Sequence, residues 1–462
     1  MPRPRIVIGR PAAPPIAAAL AAAMAVAAFA APAAAQQPSA EERRCTGQIQ
    51  ATAQAQAQAC SVLIESGHYS AQNLAILHSN RGIAHAKAED FDRAVADFEA
   101  AIRISPGHLR AHINLGNAHY AKRDFDRAIA AFSDAIRLDP RQSASFMSRA
   151  NAYDAKGDGE RAIADYDQAI RLDPNFATAY FNRGGAHRRR GDAERAIADY
   201  DQAIRMNPRY VAALNNRGIA HADRGDYDRA ITDYNEALKI DPSYASAYTN
   251  RGNALRAKRD YDRAAADFDQ AIKADPKFTL GYLNRGLVWF DKRDYSRAVA
   301  DFGEAIKLAP DDARGYINRG TALEASGAFE PALKDFEQAI KLDPKNALAY
   351  DSRGNVWRST GRIERAVADY SEAIALAPTY AHARFNRAQA HYIAGRFREA
   401  LADAEAAAKL NPQGAHALSL RGLIQEKLGA KPQAIADFRR AIALDATLQQ
   451  AAEGLRRLGA TP

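Results

Sequence analysis

Thiols are scarce in this sequence: Cys45 and Cys60 are the only cysteines among 462 residues. Two thiols cannot build a cysteine-only zinc site or a scaffold of several disulfides. Long apolar runs are missing after residue 35, so nothing beyond that point is suited to span a bilayer. No block of one charge sign occurs. Acids and bases alternate along the chain, as on solvated, ion-paired helix faces, and no basic run with interleaved aromatics points to nucleic acid. The signatures HExxH, GxxxxGK and GxSxG are absent, and with them the metalloprotease, phosphate-loop and esterase chemistries they announce. No nucleic-acid partner, no metal, no cofactor and no catalysis are therefore expected.

The first 35 residues stand apart. Arg3, Arg5 and Arg10, with no acid among the first 35 residues, contribute three to the formal net charge of +8 and lead into the apolar run Ile16 to Ala31. Ala33-Ala34-Ala35 then precedes Gln36. A basic front, a short apolar middle and a small-residue cleavage site are the parts of a secretory signal peptide. Residues 1–35 are read as one, with a periplasmic destination; the alternatives are an uncleaved anchor and an Ala/Pro-rich tail. No cysteine follows the cleavage site directly, so a lipid anchor is not expected.

What is present in abundance is one pattern. The stretch Val211 to Tyr244 recurs eleven times between Ala75 and Leu448, with a period of 34 residues. Naming each column by its residue in that stretch, Ala230 and Ala237 are Ala in all eleven units, and Gly218 is Gly in nine, replaced by Ala150 and Ala388. Tyr234 is aromatic in ten, with Ala404 the exception, and Pro242 is Pro in ten, with Ala446 closing the series. Residues 212–223 and 227–239 carry apolar residues at helical spacing. Asp226 is placed to cap the second helix, and Pro242 prevents its continuation. Each unit is thus expected to be a helix hairpin, drawn close by the small Gly218 and Ala230 columns.

The spacing of Gly218, Ala230, Tyr234, Ala237 and Pro242 resembles the tetratricopeptide repeat. That resemblance implies an all-α fold, a right-handed α-solenoid of tandem helix pairs. It also implies a concave groove lined by the first helices, which in that family usually binds a peptide or extended protein segment. Two columns depart from the family pattern. The aromatic early in the first helix varies (His78, Phe146, Tyr180, Leu214), and the usual Leu before the glycine is Arg217, an Arg in ten units. The Asp233 column is Asp in ten units, and the unit with Leu115 in place of the Arg is also the unit with Ala131 in place of the Asp. Loss of both charges together implies an Arg–carboxylate pair within or between hairpins; an anion-binding stripe is the alternative.

The Asn216 column repeats as Asn80, Asn114, Asn182, Asn250, Asn284, Asn318 and Asn386. Asn is a middling helix former, so eight placements in mid-helix ask for a reason. The family frame turns this column toward the groove, where amides could clamp a peptide backbone, resembling the asparagine ladder of the O-linked GlcNAc transferases. Asn117, Asn151, Asn253 and Asn355 lie on the same face. The alternative is that the amides only serve contacts between repeats or persist through duplication. His85, His119, His187, His221 and His391 share a column with Tyr153, Trp289 and Trp357, which suits packing; a metal at His78, His85, His112 and His119 is disfavoured by their seven-residue spacing.

Residues 36–74 read as a degenerate terminal hairpin. Counting one period back places Cys60 in the Ala230 column, facing Cys45 on the preceding helix, so a Cys45–Cys60 disulfide is expected in an oxidising compartment; two buried thiols are the alternative. Residues 449–462 should supply a capping helix and tail. The expected function is a non-enzymatic periplasmic scaffold binding an extended partner segment. The alternative is an assembly factor or receptor-complex component peripheral to the outer membrane.

Overall fold

The structure, a computed structural model, describes residues 38–461; the expected leader at 1–35 lies outside the described residues. Among the described residues there are 25 α-helices and no strand, arranged as tandem hairpins. They fall into two compact units, 38–250 and 251–461. In each, second helices pack against their own first helix and against the first helix that follows.

The hairpin at 211–244 shows why this sequence folds so. Its helices run Val211–Asp223 and Tyr227–Ile240. Asp226 caps the second, accepting from the Arg229 N–H, and the same cap recurs at Asp90, Asp124, Asp158, Asp192, Asp260 and Asp294. Gly225 turns the chain at φ +79°, and the same turn is held by Glu89, Arg123, Arg259 and Arg293 at φ 60–64°. Ala230 and Ala237 are fully buried, and Tyr234 lies with its ring against Gly218. A Cβ at Gly218 would sit 2.6 Å from Tyr234 Cε1, so only hydrogen fits beside the ring. The unit with Ala388 has no such ring: Ala404 stands there, packed with Ala400 and Phe385. The two exceptions noted in the Gly218 and Tyr234 columns thus meet in one hairpin. Ala150, by contrast, shares its core with Tyr166.

The Arg–Asp pairing is present in all ten units that carry both residues. Arg217 reaches from the first helix to Asp233 on the second, with Nε to Oδ2 at 2.9 Å and Nη2 to Oδ1 at 2.6 Å. Its Nη1 donates backward to Asp201 of the preceding hairpin at 2.6 Å. The fork therefore works within a hairpin and its third arm works between hairpins. The arm ends on Asp167, Asp269, Ser133 or Ser371 in other units. Where its landing column is Gly303, Arg319 keeps only its fork to Asp335. Hydrogen bonding to Asp233 holds the Arg217 guanidinium protonated far above its ordinary range. In the first repeat, burial pushes the Asp97 carboxyl up, but hydrogen bonds from His78 and Arg81 outweigh it and leave the group below the usual carboxylate range. The variable aromatic column also finds its role here: Tyr180, Tyr282, Tyr316 and Tyr350 lie under Arg183, Arg285, Arg319 and Arg353, at 5.5–5.9 Å.

Both ends are closed. Cys45 and Cys60 form a disulfide with Cα atoms 4.9 Å apart, tying helix Ala40–Cys45 to helix Ala53–Glu65, and Tyr69 donates to Glu42 beside it. At the other end helix Gln449–Arg457 lays Ala451 and Leu455 over Phe438.

Candidate functional site

The first helices present the face on which a site was expected, and the asparagine column lies deeper in it than its chemistry suggested. Asn80, Asn114, Asn284, Asn318 and Asn386 are buried, at 3% exposure or less. Asn182, Asn216 and Asn250 are half-buried. Several amides bond the first helix of the preceding repeat: Asn182 Nδ2 to Asn151 Oδ1 at 3.0 Å, Asn250 Nδ2 to Asn215 Oδ1 at 2.9 Å, and Asn386 Nδ2 to Asp351 Oδ1 at 2.9 Å. Asn215 in turn donates to Asn216 at 3.3 Å. The amide of Asn284 and the Nδ2 of Asn114 are buried without a partner among the described residues. The depth follows from side-by-side packing of successive first helices, which closes the space between equivalent columns.

Within the unit 251–461 the first-helix face is hollowed. A cavity of about 550 Å³ opens across successive repeats, lined by Phe290, Glu324, Asn355, Arg358, Phe385 and Asn386 among others. A second, of about 270 Å³, shares Arg358, Phe385 and Gln389 with it and extends to Tyr392, Ile393 and Ser419. The Ser419 hydroxyl is buried and without a partner among the described residues. Asn386 is thus the one member of the expected column that the structure brings to this hollow, together with Asn355 of the neighbouring row.

Three charged groups set the character of the hollow. Asp351 is 1% exposed, and its carboxylate is met by Tyr380 Oη at 3.2 Å, His382 Nδ1 at 3.0 Å and Asn386 Nδ2 at 2.9 Å. Arg358 is half-buried and its Nε donates to Tyr370 Oη at 3.3 Å; that hydroxyl donates to Asn355 Oδ1 at 2.9 Å. Glu324 is half-buried, and burial pushes its carboxyl up to about 7, against a smaller downward pull from Arg358. Column reasoning did not single out any of these residues. Asp351 is the one acid in its column, and that departure was the available signal; Arg358 and Glu324 recur in theirs as Arg188, Arg256 and Glu426 and gave none.

The histidine column packs beside the Arg–Asp braces: His85, His187 and His221 approach Asp97, Asp199 and Asp233 at 3.8–4.0 Å. Burial lowers the pKa of His85, His119, His187, His221 and His391. No group of three or more His, Cys, Asp and Glu side chains among the described residues is arranged to hold a metal ion. No described helix is long and apolar enough to cross a membrane.

Comparison with protein families finds a tetratricopeptide repeat profile over residues 80–143, 186–245, 249–313 and 385–448. A TPR repeat profile matches 150–191 and 354–395, and a further tetratricopeptide repeat profile matches 313–346. Comparison with curated proteins finds no match. Among solved structures the chain is similar to yeast Tom70, at 15% identity over 84% of this chain and 96% of that one, with a TM-score of 0.48. It is also similar to a tetratricopeptide repeat protein of Parabacteroides merdae, at 22% identity over 54% of this chain and 99% of that one, with a TM-score of 0.46. A third similarity is to the APC/C hetero-tetramer Cut9-Hcn1, at 13% identity over 91% and 96% of the two chains, with a TM-score of 0.47.

Proposed function

The chain belongs to the tetratricopeptide repeat family, and from that premise we propose a scaffold that holds an extended segment of a partner protein on its first-helix face in the periplasm. Proteins of this family bind protein partners. The observation that carries the proposal is the hollow at Glu324, Asn355, Arg358, Phe385 and Gln389, which mixes aromatic walls with amide and charged groups. Such a surface suits a peptide, whose backbone offers both donors and acceptors and whose side chains fill pockets. The half-buried Asn182, Asn216 and Asn250 offer similar chemistry on the first-helix face of the other unit.

A photoreactive residue in place of Ser359, at the rim of the hollow, captures a discrete partner in cells; the same residue in place of the exposed Lys341 does not. Equal capture at both positions, or none at Ser359, refutes a site on this face. Changing Asn182, Asn216 and Asn250 together to Ala weakens capture while helical circular dichroism persists; unchanged capture removes those amides from the site.

Export rests on the leader sequence, and the disulfide suits an oxidising compartment. Release of the protein by osmotic shock supports a free periplasmic scaffold. Recovery with outer membranes supports instead a role in an envelope complex.

A further inference from the structure

Charged residues near the end of the first helices are, across much of the chain, consumed by one another. Arg188 meets Asp223 at 3.3 Å and Asp154 meets Arg189. Arg256 meets Asp291 at 2.7 Å and Glu426 meets Arg457 at 2.8 Å. Glu324 and Arg358 hold the same column in successive repeats, yet no ion pair joins them. Arg358 is instead held by Tyr370, which is itself anchored on Asn355. Glu324 is left as a half-buried carboxylate with no hydrogen-bond donor among the described residues, facing open space in the hollow. A carboxylate taken from water without a donor is costly, and it gains most from a cation delivered by a ligand. The walls beside it include Phe290 and Phe329, rings that suit the aliphatic stem and charged head of a basic side chain.

Resting on the groove binding proposed above, we infer that Glu324 selects partner segments carrying a lysine or arginine side chain, which enters the hollow and pairs with this carboxylate. Arg358 keeps unused N–H donors for backbone carbonyls of the same segment. The acid's environment fits this use. Burial holds its pKa near 7, and pairing with a cation favours the ionised form, so capture of a basic segment strengthens as pH rises through that range. The other charged and titratable groups lining the hollow are Arg358, Asp291, Arg293, Tyr295, His382 and His416, and the buried Asp351 acts on Glu324 from behind its wall. His382 and His416 line the same hollow, so the test must separate them from Glu324.

The experiment displays random peptides against the full chain and against Glu324→Gln at about pH 8, above the Glu324 range. The wild-type chain enriches peptides sharing one basic position. Synthetic members bind Glu324→Gln about tenfold more weakly, a typical loss for one charge-assisted pair. The preference for a basic over a neutral residue fades toward about pH 6 in the wild type and is flat in Glu324→Gln. Enrichment with no basic position, enrichment of acidic peptides, or basic enrichment that survives Glu324→Gln overturns this inference and leaves groove binding standing. Failure to enrich any peptide on either chain overturns both. Helical circular dichroism of Glu324→Gln confirms that the fold is retained.

Discussion

The contact between Gly218 and Tyr234 lends itself to a quantitative test. In Gly218→Ala the new methyl starts 2.6 Å from Tyr234 Cε1 and 3.0 Å from Cδ1 and Cζ. Carbon atoms rest at about 3.5–4.0 Å, so the ring or the helix must shift by about an ångström. Tyr234 is 1% exposed and has little room to turn. Overpacking of this kind costs about 1–3 kcal/mol, and the better helix propensity of Ala returns about 1 kcal/mol. A net loss of up to about 2 kcal/mol is expected. Ala150 beside Tyr166 shows that one hairpin absorbs the methyl, so the cost is bounded. In a Tyr234→Ala background the ring is gone, and Gly218→Ala should stabilise by about 1 kcal/mol. The hairpin with Ala388 and Ala404 already has that arrangement. Because a long repeat array does not unfold as one unit, the measure is local: hydrogen exchange over residues 211–240, where about 1.4 kcal/mol changes the opening constant tenfold. Exchange should speed in Gly218→Ala and slow when the same change is made on Tyr234→Ala. The same response in both backgrounds would refute the reasoning.

Three further outcomes follow from the braces, the histidines and the disulfide. Arg217→Leu strands the buried Asp233 and should cost about 2–3 kcal/mol by local hydrogen exchange, while Arg217→Leu with Asp233→Ala, the arrangement of Leu115 and Ala131, should recover most of it. Acid should destabilise the array: the column histidines are held below their unfolded value of about 6.5, so the unfolded chain binds more protons and stability falls as pH drops below that value. The melting temperature should therefore be lower at about pH 5 than at about pH 7.5, with a shallower dependence in His221→Phe; a flat profile would count against buried neutral imidazoles. Replacing Cys45 and Cys60 by Ser opens a loop with a sequence separation of 15 and should cost the terminal hairpin about 3 kcal/mol, seen as faster exchange confined to residues 40–65.

The hairpins, their caps and the Arg–Asp pairs were legible because repetition compares each position with its equivalents. Arg217 and Asp233 could be paired from the single unit that lacks both. The backward arm of Arg217 could not be read, since its landing column varies among Asp, Asn, Ser, Glu and Gly. Nor could the depth of the asparagine column, which depends on how closely successive first helices pack. Column reading also passes over residues that occur once in their column. Asp351 is such a residue, while Glu324, Arg358 and Phe385 recur in theirs as Glu426, Arg188 and Arg256, and Phe181, and all four meet only when neighbouring repeats are stacked in space.

The backward arm has a mechanical side. Each arm fastens one hairpin to its predecessor, so pulling along the chain loads these fastenings in series. Arg353 and Arg421 make no hydrogen bond of this kind either, though Glu337 and Glu405 still attract them. Two junctions lack even that among the described residues: the one entering the repeat of Leu115, which has no guanidinium, and the one where Gly303 faces Arg319 without a side chain to grip. Under tension the array should yield first at these two places, parting into segments that remain folded on either side.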